Sequence, residues 1–146
     1  MTDIQTELNQ CLFHCSSALY RWLGKLADEN FKAVELTPTQ GFILIVLKQT
    51  PGISIMDLAE TVQLDQSTIT KALDRMKEKG LIWREAKGRT VEVFATDHGI
   101  KREADAMAAW KKLQFTYGQI TGAAHARAVA GSIEVVLSDL REFRSK

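Results

Sequence analysis

Long apolar runs are missing from this chain. Although 45% of its 146 residues are hydrophobic, no stretch approaches the roughly 18 residues of a membrane span. The opening residues, MTDIQTELNQ, are polar and acidic, which argues against a signal peptide and for a cytoplasmic protein without membrane contact. Cysteine occurs only twice, at Cys11 and Cys15, so a disulfide framework is not expected in that compartment. The nine glycines build no phosphate-binding loop, and the GxSxG and HExxH patterns are absent. An enzyme is therefore the weak reading, and no cofactor is implied. Internal repeats and low-complexity linkers are lacking too. The length suits one domain with a real core.

Charge of one sign is also scarce overall, with 19 Lys and Arg against 18 Asp and Glu. The balance changes when the chain is divided. Residues 1–65 carry 4 basic against 8 acidic side chains, residues 66–89 carry 7 against 3, and residues 90–146 carry 8 against 7. The basic excess falls on one short segment. A local basic patch is what phosphate neutralisation requires, since bound phosphates release their counterions.

The coarse pattern is mainly helical with one small ribbon. A long first helix is predicted from about Ile4 to Val34, with Thr2 and Gln5 as a capping box. A second opens at Thr37 with Pro38 in its first turn and Gln40 three residues beyond the cap. Its GFILIVL core is apolar nearly all round and should be buried. Thr50-Pro51-Gly52 stops it. A third helix begins at Ser54, and a fourth, which Asp65 can cap, ends before Gly80, a pair suited to a helix-turn-helix. Leu81–Glu85 and Thr90–Ala95 read as strands, with Lys87-Gly88 at the hairpin tip. Thr96 caps a fifth helix over Asp97–Tyr117, Gly118 to Gly122 breaks it, and a sixth runs over Ala123–Phe143.

The fourth helix carries the chemistry. Ile69, Ala72, Leu73 and Met76 recur at the 3.6-residue period and face a core. The other side offers Gln66, Ser67, Thr68, Thr70, Lys71 and Arg75. A DNA major groove about 12 Å wide admits one helix, read through its N-terminal residues. Free N–H groups of the first turn, near Gln66, Ser67 and Thr68, attract phosphate. Thr70 and Lys71 suit base edges, and Arg75 reaches a phosphate or base from the flank.

These residues resemble the MarR-type transcriptional regulators over nearly the whole chain. The resemblance rests on LTPTQGFILIVL, on LAETVQLDQSTITKALDRMKEKGLI and on GRTVEVFATDHG. It implies a winged helix-turn-helix over residues 37–96 and a helical dimerisation region over 1–36 and 97–146, built from the first, fifth and sixth helices. It further implies a triangular homodimer on a pseudo-palindromic operator, usually a repressor released by a small ligand or by oxidation. Arg89 matches the family's wing arginine, which enters the minor groove, with Arg84 and Lys87 in support. By the same resemblance, Asp74 pairs with Arg84 or Arg89. This ribbon departs from the family in being several residues short, with Lys87 where an Asp is usual.

Other features concern the signal. Cys11, His14 and Cys15 fall at i, i+3 and i+4 of the predicted first helix, a spacing open to thiol redox sensing, to zinc or copper(I), or simply to small core residues. Relatives with a reactive cysteine place tyrosines nearby, and the TQGF stretch here has none. A small aromatic or phenolic effector is the other expectation, with Phe13, Tyr20, Trp22, Phe42 and Trp110 as candidate lining or core residues. A winged helix used as a protein-interaction adaptor, without DNA, is the remaining alternative.

Overall fold

The computed structural model describes residues 2–146. Its elements are α1 (Asp3–Leu8), α2 (Leu12–Lys32), α3 (Pro38–Gln49), β1 (Ile53–Ser54), α4 (Ile55–Val62), α5 (Gln66–Glu78), β2 (Ile82–Lys87), β3 (Thr90–Ala95), α6 (Asp97–Thr121) and α7 (Ala123–Ser145). The architecture is mainly helical with a small antiparallel sheet ordered β1-β3-β2. Two compact units divide between Trp110 and Lys111, inside α6.

The single first helix expected over Ile4–Val34 is two helices. Thr2 and Gln5 do form the capping box of α1. That helix closes at Asn9, whose N–H bonds the Gln5 and Glu7 carbonyls. Cys11 then adopts extended backbone (φ −83°, ψ 116°) as the cap residue of α2. The break is held by a thiol: Cys15 Sγ donates to the Asn9 carbonyl at 3.1 Å, serving one of the carbonyls a helix end leaves unpaired.

Phe31 ends α2 inside the core of the first unit. Glu35 (φ 58°) turns the chain, and Leu36 N–H returns to the Phe31 carbonyl at 3.1 Å. α3 starts as its sequence suggests, with Pro38 in the first turn and a Thr37/Gln40 capping box. Ile43, Leu44 and Leu47 are fully buried, as are Phe31, Leu58, Ile69, Leu73, Met76, Leu81 and Val93. Two polar ties secure α6 in this unit. Lys48 Nζ bonds the buried Glu103 carboxylate at 2.8 Å, and the Arg102 guanidinium bonds both the Val34 carbonyl and Asp105.

β1 is a two-residue strand with no precedent in the periodicity, since two residues show no alternation. It pairs Ile53 with Val93 and Ser54 with Glu92. The ribbon is longer than expected on its first strand. β2 continues to Lys87 and forms six pairs with β3, from Ile82↔Ala95 to Lys87↔Thr90. The tip is therefore Gly88-Arg89, not Lys87-Gly88. Gly88 has φ +61° and Arg89 is not in the left-handed region, the type II′ pattern that suits strand twist and requires glycine first.

Thr96 caps α6, accepting Gly99 N–H at 3.0 Å while donating to the Gly80 carbonyl at 2.6 Å. Gly99 is needed for close approach: a Cβ there would lie 2.1 Å from the Leu81 carbonyl oxygen. α6 runs through Gly118 to Thr121, four residues beyond the expected end, and the break is Gly122 alone (φ 92°). α7 contains no buried residue. No helix among the described residues is long and apolar enough to cross a membrane.

Candidate nucleic-acid interface

α4 ends on Gln63 in the left-handed conformation (φ 58°), and Leu64 N–H bonds the Ala59 carbonyl at 3.0 Å. The chain then enters α5 at Asp65. This tight connection sets two short helices as a helix-turn-helix. Ile69, Leu73 and Met76 of α5 are completely buried. At 100° per residue, the opposite line of the helix passes through Ser67, Lys71 and Asp74, with Thr68 and Arg75 on one flank and Gln66 and Thr70 on the other. All seven are exposed. The inward stripe thus forces the polar residues outward, and the expected face exists as a continuous surface.

Asp65 organises the first turn more tightly than a simple cap. Its Oδ1 accepts the Ser67 hydroxyl at 2.6 Å and Thr68 N–H at 2.7 Å, and its Oδ2 accepts the Thr68 hydroxyl at 2.8 Å. The Ser67 hydroxyl first, then the Thr68 N–H and hydroxyl, hold the carboxyl well below its ordinary 3.8, at about 2. A carboxylate thus takes the Thr68 N–H at the start of α5, the capping expected of Asp65.

The folded-state value lies below the unfolded one, so the carboxylate stabilises the fold in full above about pH 4 and loses that effect as pH falls towards 2. Asp65→Ala should therefore melt at a lower temperature than the parent at pH 7, with the gap closing between about pH 4 and pH 2. Circular-dichroism melts across that range check it, and a gap independent of pH would disprove the link.

The wing cations divide into two groups. Arg84 Nη2 bonds Asp74 Oδ1 at 2.8 Å, fastening β2 against α5, which is one of the two pairings the resemblance implied. Lys87 lies 3.6 Å from Glu92 on β3. Arg89, at the exposed tip, makes no ion pair among the described residues, and neither do Lys71 and Arg75. An open groove lined by Asp74, Lys77, Glu78 and Arg84 separates helix from ribbon. On α5 and the wing, Lys71, Arg75, Lys77 and Arg89 are thus exposed cations without an ion pair among the described residues. Arg84 is mainly a strut, which the sequence pattern alone did not separate from the free cations.

Cys11 is the cap residue of α2, in extended backbone, and Cys15 N–H bonds its carbonyl at 2.9 Å, with His14 between them in the first turn. Both thiols are exposed rather than core. Among the described residues no group of three His, Cys, Asp or Glu side chains is placed to hold a metal ion. The aromatic candidates also divide. Phe42 packs edge-on against Trp110 and Phe31, each at 5.7 Å between centroids. Phe13, Tyr20 and Trp22 are 81%, 78% and 69% exposed, so they line no closed cavity within their own unit.

Residues 36–89, from the start of α3 to the wing tip, match the model of the MarR family. Over a longer stretch the chain is similar to the HTH-type transcriptional repressor MdtR of Bacillus subtilis, with 28% identity over 123 residues, covering 80% of this chain and 72% of MdtR. The segment 36–89 is of the MarR family. Two further HTH-type regulators from Bacillus match over only 64% and 52% of their own length. Among solved structures, the fold resembles the transcriptional repressor CouR bound to a 23-mer DNA duplex, with a TM-score of 0.79 at 20% identity over 90% of this chain and 95% of that one. It also resembles a mutant MarR from E. coli complexed with operator DNA, with a TM-score of 0.78 at 19% identity over 93% and 99%. The matches and the fold are those of winged helix-turn-helix transcriptional regulators, not of enzymes.

Proposed function

We propose that this chain is a MarR-family regulator, a cytoplasmic homodimeric repressor that occupies a pseudo-palindromic operator and leaves it when a small aromatic effector binds. The observation that carries the reading is the outward face of α5, where Gln66, Ser67, Thr68, Thr70, Lys71 and Arg75 are exposed in line with a buried inner stripe. A helix so arranged fits the major groove through its N-terminal half, while Arg89 at the wing tip meets the neighbouring minor groove or backbone. Lys87 adds charge near the tip, and Arg84 braces the wing. MdtR and CouR are both named repressors, and the CouR and MarR structures hold DNA.

The dimer is supported by apolar surface left uncovered in each unit. Phe13, Tyr20 and Trp22 are exposed in the first, and Phe115, Ile120, Val135 and Phe143 in the second. Large apolar side chains at this density ask for a partner surface. A second copy, meeting through residues 1–36 and 97–146, is the partner we assign. Two copies would set two α5 helices about 34 Å apart, one turn of duplex. The effector class rests on CouR, whose structure was solved with p-coumaroyl-CoA. A second signal, oxidation, rests on the exposure of both thiols.

Binding to DNA from upstream of the protein's own gene tests the reading. The expected result is a sequence-specific, salt-weakened shift with two protomers per duplex. Equal affinity for unrelated DNA, or no shift at micromolar protein, would refute it.

A further inference from the structure

The hydrogen bonds around Asp65 determine what its neighbours can still offer. An ionised carboxylate only accepts, and a hydroxyl has one hydrogen to donate. The Ser67 and Thr68 hydroxyls both spend that hydrogen on Asp65, at 2.6 and 2.8 Å. Each oxygen is left with lone pairs alone. Ser67 matters most, because it is exposed on the outward line of α5, one turn before Lys71. The Thr70 hydroxyl, by contrast, has no hydrogen-bond partner among the described residues and is free to turn as donor or acceptor.

In the major groove, adenine N6 and cytosine N4 are donors, whereas guanine O6, thymine O4 and purine N7 are acceptors. An oxygen that can only accept pairs with an amino base and meets a keto base lone pair to lone pair. It gains nothing from phosphate either, because phosphate oxygens also accept. A serine hydroxyl free to rotate would suit both classes of base. The carboxylate two residues earlier removes that freedom.

We propose that Asp65 is a specificity-determining residue that acts through Ser67: it makes that hydroxyl an obligate acceptor, so the protein selects adenine or cytosine over guanine or thymine at the base facing Ser67 in each half-site. This rests on the DNA-reading assignment above and adds which base class one position takes. Thr68 carries the same polarity on the flank of the helix.

The test is selection of binding sites from a randomised duplex pool by the full-length protein, Ser67→Ala and Asp65→Gly. Glycine is itself a serviceable N-cap, so Asp65→Gly releases both hydroxyls with little loss of helix, which thermal melts verify. The parent protein should enrich amino over keto bases by about fivefold or more at one position of each half-site. Ser67→Ala should lose that preference and keep the rest of the site. Asp65→Gly should accept keto bases there as readily as amino bases. Unchanged preferences in both variants, or a keto base at the position lost in Ser67→Ala, would overturn the polarity assignment while leaving DNA reading intact. A parent protein that selects no sequence would overturn both.

Discussion

Lys71→Glu should lower affinity for the operator by about a hundredfold or more without lowering thermal stability. Lys71 is exposed and makes no ion pair among the described residues, so its removal leaves no buried group unsatisfied. Its place on the outward line of α5, between Ser67 and Asp74, puts it at the centre of the helix face offered to the groove. The variant loses an attraction and adds a carboxylate one turn from Asp74, in a region where the duplex is uniformly negative. Arg89→Ala offers the contrast. The tip arginine meets the duplex from the side, so its loss should weaken specific and non-specific DNA alike and reduce the salt slope by about one. Fluorescence anisotropy on operator and scrambled duplexes at several salt concentrations separates the two. If Lys71→Glu bound the operator as the parent does, α5 would not be the reading helix.

Phe31→Ala should cost about 3–5 kcal/mol of unfolding free energy and lower the melting temperature by about 10 °C at fixed protein concentration. Phe31 is fully buried at the end of α2, edge-on to Phe42 and pressed against Gly41. The closeness is measurable: a Cβ built on Gly41 would lie 2.3 Å from Phe31 Cε1 and 2.8 Å from Cδ1. Gly41 therefore exists to admit the ring between α2 and α3. Gly41→Ala alone should destabilise by about 1–3 kcal/mol through overpacking. Combined with Phe31→Leu, which vacates part of that space, the two losses should add to less than their sum. Urea unfolding of the four proteins gives the cycle. A loss below about 1 kcal/mol in Phe31→Ala would mean that the α2–α3 contact is not part of the cooperative core.

Much of the interface was legible because it depends on local rules. Thr37-Pro38 with Gln40 starts a helix wherever it occurs, and the stripe Ile69, Leu73, Met76 must be buried if α5 is to pack at all. Once that stripe turns inward, Ser67 and Lys71 can only turn outward. Asp74 with Arg84 came from the family pattern, and the structure has that pair. The failures lie where local propensity leaves two outcomes close in energy. Asn9-Gln10-Cys11 is compatible with a continuous helix, and the Cys15 thiol bonding back to Asn9 accompanies the break instead. Gly118 sits in α6 without interrupting it, because one glycine in a long helix costs only about 1 kcal/mol against alanine.

The sequence by itself determined the element types, the helix-turn-helix, the outward residues of α5 and the segment holding the basic excess, because all of these follow from periodicity, capping and charge along a short stretch. Only the tertiary structure decided that Ile53-Ser54 joins the wing sheet, that Arg84 is bound to Asp74 while Arg89 stays unpaired, and that Lys48 meets Glu103 across 55 positions. It also decided that the Asp65 carboxylate takes the hydrogens of both hydroxyls beside it. The physical reason is common to these cases. Pairing and hydrogen-bond direction depend on distances of a few ångströms between side chains, and a one-dimensional pattern carries the chemistry of those groups but not their separation.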